Sequence, residues 1–197
     1  MKTTILISMF LFSISLFASP KKICSYQLDT DKATVEATGY KFTEKLAVAG
    51  QFTGFSVNKN ELQAKALDLL QGLVVTVDLL TLDSGNSLRN KNMRETLFAN
   101  IIGDSKAIVT VKVVKEKTLE TELSLNDKVM PVSFEYTISK GLIQATGVVD
   151  LAKFAMGEQI TALRKRCSSL HTGADGKSVT WTDFTLKVTA PLKQTCQ

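Results

Sequence analysis

Along most of the chain, apolar and polar positions alternate with a period of two, the mark of half-buried strands. Leu73, Val75, Val77 and Leu79 share one face of 73–80, and Ala107, Val109, Val111 and Val113 share one face of 107–114. Leu119, Leu123 and Leu125 alternate with Glu120, Glu122 and Ser124. Val132, Phe134, Tyr136 and Ile138 alternate with Ser133, Glu135 and Thr137. Ile143, Ala145, Gly147, Val149 and Leu151 form a further face, as do Phe184, Leu186, Val188 and Ala190. Nearer the start, Tyr26 with Leu28, Val35 with Ala37, and Val48 with Phe52 read the same way.

Short polar links separate the later strands: Lys115-Glu116-Lys117, Asn126-Asp127-Lys128 and Ser139-Lys140-Gly141. Links this short join antiparallel neighbours. About eight strands at such spacing make a sandwich or a barrel. Three stretches carry helix signals instead. Asn60 is placed to cap 61–71, with Gly72 ending it. Asn86 or Ser87 starts a second helix through Phe98, and a third runs from Gly157 to Leu170. No repeat or linker divides the chain, which reads as one domain over 19–197.

Composition narrows the class. With 44% hydrophobic and 22% charged residues among 197, the chain is not mostly disordered. The net charge of +5 is mild, and the Lys and Arg residues are scattered (Lys112, Lys115 and Lys117; Arg164, Lys165 and Arg166). No nucleic-acid partner is expected from that, although transient contact with an anionic membrane surface fits. The sequence leaves the oligomeric state open, a homodimer included. Residues 1–18 differ from the rest. Lys2 is followed by an apolar run to Phe17, then Ala18, Ser19 and Pro20. This is the layout of a signal peptide cut after Ala18, which implies export to the periplasm; a membrane anchor is the alternative, although the run is short for a span.

Export permits disulfides. The cysteines are Cys24, Cys167 and Cys196, and none forms a CxxC. In a closed antiparallel barrel of even strand number the first and last strands pair, which brings Cys24 beside Cys196. Pairing of Cys167 with a terminal cysteine, or three free thiols, stays open.

Four segments, in order and spacing, resemble the YceI-like family. They are 75–90 (Val75 to Asn90, with Asp83-Ser84-Gly85-Asn86 and then Arg89), Gly50-Gln51-Phe52, the hairpin 123–132, and 149–156 ending in Phe154-Ala155-Met156. Leu97-Phe98 stand where the family has two bulky apolar residues. Asn90 and Asn92 replace the family's usual Asp and His. Asp127 and Ala155 replace glycines, and the stretch 158–178, with Cys167 and the sole histidine, His171, is longer than usual. The resemblance implies an all-β fold: an extended, antiparallel, eight-stranded, lipocalin-like barrel with a few short helices. It also implies binding of a long lipophilic molecule such as an isoprenoid, a quinone tail or a fatty-acyl chain. Exported members of the family act as carriers or scavengers, without a cofactor.

The inward faces supply the expected cavity. Val35, Ala37 and Phe52 come from the early strands, and Val75, Val77, Val111 and Val113 from the middle. Phe134, Tyr136, Leu186 and Val188 come from the later strands. The family motif adds Phe154 and Met156. Small inward residues (Ala37, Gly39, Gly50, Ala145 and Gly147) leave room inside. Asp83, Asn86 and Arg89 are candidates for the rim, near a ligand head group, or for helix capping. Trp181 reads as a packing anchor. Catalysis is not expected: a single histidine and no Gly-x-Ser-x-Gly elbow leave no triad, and nucleotide-loop and HExxH motifs are absent. Cys167 and His171, four apart, share a helix face. They make half of a metal site at most, so no metal is expected. A stress or redox protein using this pair is the rival function.

Overall fold

The computed structural model describes residues 22–58 and 60–197. The expected signal peptide, 1–18, lies outside the described residues. The fold is mostly antiparallel strand: β1 (Cys24–Leu28), β2 (Thr34–Lys41), β3 (Leu46–Phe52), β4 (Phe55–Val57), β5 (Val74–Asp78), β6 (Leu82–Asp83), β7 (Lys106–Val114), β8 (Thr118–Leu125), β9 (Lys128–Ser139), β10 (Leu142–Asp150) and β11 (Asp183–Cys196). Two short helices, α1 (Ser87–Asn92) and α2 (Gly157–Arg166), lie outside the sheet.

The eleven strands make eight staves. Their order is β4-β5-β7-β8-β9-β10-β11-β2-β3-β6, with β1 on β11. β3 runs on into β4 and β5 into β6, and these two bent staves pair with each other. Val57 faces Val75, Phe55 faces Val77 and Phe52 faces Leu82. At the bend the Asp78 N–H donates to the Gly54 carbonyl and the Thr53 N–H to the Thr81 carbonyl. The ladder therefore meets itself and the barrel closes, which leaves no long unpaired edge. β1 and β2 likewise form one interrupted stave along β11, with Leu28 opposite Leu192 and Val35 opposite Val188.

First and last strands thus lie side by side, and a disulfide joins Cys24 to Cys196 across 172 residues of sequence. Cys167 is free and buried. This end of the barrel is the disulfide end. Its floor is apolar, with Leu69, Leu70 and Leu73 packed against Ile143 and Tyr136. The opposite, helical end is covered by α1, the π-helical turn Met93–Phe98 that continues it, the 3-10 turn Leu151–Phe154, and α2.

Local chemistry sets the hairpins. Asn126 and Asp127 both have positive φ, 51° and 57°, as a two-residue type I′ turn requires. Asn126 is also buried. Its Oδ1 accepts from the Ile102 N–H at 2.8 Å and its Nδ2 donates to the Phe154 carbonyl at 2.8 Å, which pins the turn under the helical end.

Two sequence expectations change. The helix over 61–71 is only a 3-10 turn, Ala66–Leu69. Asn60 does not cap it. Its side-chain amide instead completes the edge of β1, accepting from the Leu28 N–H at 2.8 Å and donating to the Leu28 carbonyl at 2.9 Å. Gln63 and Tyr26 exchange backbone hydrogen bonds beside it. Satisfying an otherwise open strand edge outweighs helix propensity here. The third helix ends earlier than expected, at Arg166, and Ser168–Leu170 continues as a 3-10 turn.

Candidate functional site

A cavity of about 420 Å³ runs through the barrel interior. Its deep wall is apolar, from Leu70 and Leu73 on the floor to Val77, Leu123 and Phe184 higher up. Among its described lining residues, only Ala49, Asn86, Leu88 and Leu170 are exposed, and all four lie toward the helical end. The mouth is there.

Nine of the expected cavity residues border this space: Val35, Ala37, Phe52, Val75, Val77, Val111, Phe134, Leu186 and Val188. Four do not. Val113 is 43% exposed on the outside. Val111 faces Thr121 and Val113 faces the adjacent Glu120, so Lys112 is the extra residue of a β-bulge. One inserted residue flips every later side chain to the other face. Val114 then packs inward in its place. Tyr136 points inward but is embedded in the disulfide-end core, its hydroxyl donating to the Lys115 carbonyl at 2.8 Å. Burial, with the Glu116 carboxylate second, holds that phenol above its ordinary pKa. Phe154 and Met156, 2% and 0% exposed, lie beyond the end of β10 and fill the core beneath α2.

The small inward residues also divide. Ala37, Gly39, Gly50 and Ala145 line the cavity, whereas Gly147 does not. A Cβ on Gly147 would stand 2.9 Å from the Phe134 ring, and one on Gly39 would stand 2.7 Å from the Phe184 ring. At these two glycines the missing side chain makes room for a neighbouring aromatic ring, which then forms part of the wall. Trp181 packs near the β2–β3 turn, its indole N–H donating to the Phe42 carbonyl at 2.8 Å.

At the helical end the rim candidates take separate roles. Asp83 stands off the cavity. Its carboxylate accepts from the Gly85 N–H and from Asn90 Nδ2, both at 2.9 Å, and these bonds hold it below the ordinary carboxylate pKa. Asn86 caps α1, accepting from the Arg89 N–H at 2.9 Å, and its residue also borders the mouth. Arg89 borders the mouth too. Its guanidinium makes one long contact, 3.4 Å, to the Ser84 carbonyl.

Sequence reasoning missed the clamp that braces the helices around this end. Asn92, buried in the wall, donates from Nδ2 to Cys167 Sγ at 3.4 Å and accepts from Arg166 Nε at 2.8 Å. Arg166 also pairs with Glu95 at 2.7 Å. These contacts bind the α1 segment to α2. The only available signal was the substitution of Asn92 for the family's usual residue. Cys167 and His171 both line the cavity. Burial raises the Cys167 pKa, against the Asn92 hydrogen bond and the Arg166 and Lys41 charges. The thiol is thus a poor nucleophile at neutral pH. His171 Nδ1 lies 2.6 Å from Thr180 Oγ1. Burial, with the Lys41 ammonium second, holds the imidazole below its ordinary pKa. No cluster of three or more metal-ligating side chains occurs among the described residues.

A closed antiparallel barrel around an apolar cavity defines a class of binding fold. The comparisons refine that class: residues 26–190 match the model of the YceI-like domain. The chain belongs to the YceI-like family. Among solved structures it is similar to a polyisoprenoid binding domain from Saccharophagus degradans implicated in plant cell wall breakdown. That match has 17% identity and a TM-score of 0.58, covering 85% of this chain and 97% of that one. It is also similar to BcnA of Burkholderia cenocepacia, at 14% identity and a TM-score of 0.55, covering 84% and 99%. At such identities the likeness concerns the fold. No curated protein sequence matches the chain.

Proposed function

We propose that this protein is an exported, periplasmic binding protein that carries one long lipophilic molecule in its barrel, and that it is not an enzyme. The ligand is an isoprenoid, quinone-type or fatty-acyl chain. The observation that carries this reading is the cavity itself: about 420 Å³, apolar in depth and lined by exposed residues only toward the helical end. Its volume falls within the ~300–1,000 Å³ of ordinary ligand pockets. The Saccharophagus domain, described as polyisoprenoid binding, adds support through its fold.

Desolvation supplies the affinity. Each buried methylene contributes about 0.8 kcal/mol. A chain of ten thus gains about 8 kcal/mol gross, set against an association cost of at least ~4 kcal/mol. Few polar contacts are needed, and capture of exogenous lipophiles would use the same cavity. The rival redox reading is disfavoured by the raised pKa of Cys167 and by the Thr180 contact that occupies His171 Nδ1.

The test is to fill the cavity from within. Ala145, buried on the wall, is replaced by Leu, and binding of a fluorescent long-chain probe is titrated while the melting temperature reports folding. Folded Ala145→Leu protein is expected to bind at least about tenfold more weakly, the loss of roughly two methylenes of cavity. Unchanged binding by folded variant protein would contradict the reading.

A further inference from the structure

The cavity wall carries charge of one sign only. Its described lining residues include Lys41, Arg89 and His171, and no Asp or Glu. All three lie at the helical end. Lys41 is at the end of β2, Arg89 in α1, and His171 just after the 3-10 turn that follows α2.

Neither permanent cation is neutralised by a carboxylate among the described residues. The ion pairs among the described residues involve other side chains. Among the described residues, Lys41 Nζ reaches the Leu170 carbonyl, at 3.3 Å, and the Phe42 ring, at 4.5 Å. Among the described residues the Arg89 guanidinium has only its long contact to Ser84. Asp83, on the strand before α1, spends its carboxylate on Gly85 and Asn90. Both cationic residues are half-buried, so they are partly withdrawn from water. Cations held this way at the mouth of an apolar tube match an amphiphile whose head group is an anion.

We propose that the ligand is a single-chain lipid with an anionic head group, a carboxylate or a phosphate, held at the mouth by Lys41 and Arg89 while its chain fills the barrel. This rests on the lipid-binding reading and adds the head-group chemistry to it. A neutral head group, such as a quinone or an alcohol, would leave both cations without a partner. The Thr180-bound imidazole of His171 lies on the same wall and offers a further polar contact.

The experiment compares dodecanoate, dodecyl phosphate and dodecanol by calorimetric titration, below their aggregation concentrations. The wild type and the double variant Lys41→Gln, Arg89→Gln are both used, with melting curves to verify folding. In the wild type at least one anion is expected to bind ~10- to 100-fold more tightly than the alcohol, the range for hydrogen bonds to charged groups. Which anion binds more tightly separates a carboxylate source from a phosphate one. In the double variant that ratio should fall to near one. Equal wild-type affinity for anions and alcohol, or an anion preference that survives in the folded double variant, would overturn the assignment. Failure of all three ligands to bind would instead overturn the lipid-binding reading beneath it.

Discussion

The Phe134 ring rests on Gly147, its partner across the β9–β10 ladder, and a Cβ at Gly147 would stand 2.9 Å from the ring. The ring lines the cavity from that seat. Replacing Gly147 with Val displaces the ring into the tube. Overpacking of this kind costs about 1–3 kcal/mol. Gly147→Val is therefore expected to lower stability to chemical denaturation by that amount and to weaken long-chain binding as well. A variant as stable as the wild type would show that the ring is free to move elsewhere.

The Cys24–Cys196 link closes nearly the whole chain. In the chain-entropy model a loop this long contributes about 5 kcal/mol, and removing native disulfides costs ~2–5 kcal/mol in practice. Cys24→Ser with Cys196→Ser is expected to reduce unfolding free energy within that range. Binding in the remaining folded fraction should be retained, because neither cysteine lines the cavity. Denaturant titration with and without reductant checks this on the wild type.

Cys167 is buried, has a raised pKa and faces the cavity. Its alkylation at neutral pH is expected to be slow in the folded protein and fast in denaturant, and slower still once a long-chain ligand is bound. Cys167→Ser should bind lipid as the wild type does. If that variant loses cellular function while keeping lipid binding, the redox reading regains its place.

The acid side of the stability profile has two phases, one from His171 and one from carboxylates held low, Asp29 among them with Asp83 and Asp175. His171 is held below its ordinary value of 6.5 by burial first and Lys41 second, so the unfolded chain takes up the proton more readily. Its contribution is fully present above pH 6.5 and is lost as pH falls through the lowered folded value. Asp29 is held below 3.8, mainly by its hydrogen bond from Lys193 and then by Lys32. Its contribution is present above 3.8 and is lost as pH falls further. His171→Gln should remove the first decline and leave the second, as read by melting temperature against pH.

The strands and most inward faces were legible because a barrel wall imposes a strict period of two. The pairing of first and last strands follows from closing an antiparallel barrel, and the family pattern was legible in its motifs, above all Asp83-Ser84-Gly85-Asn86 followed by Arg89. Val113 was misread because a bulge at Lys112 leaves no mark in an otherwise regular alternation. The 61–71 stretch was misread because Asn60 serves a distant strand edge, which local propensity does not register. Gly147 read as vacant space because a sequence does not say which neighbour fills a glycine's gap. Asn92 was noted as a departure from the family pattern, but its contacts join segments more than 70 residues apart and emerge only from the packing.

The most direct test of the carrier proposal is mass spectrometry of an organic-solvent extract of the protein purified from its native host, beside a control protein from the same host. The expected result is a long-chain lipophile at close to one per protein, absent from the control. An extract identical to the control, from folded protein that also takes up no long-chain lipid when offered one, would contradict it.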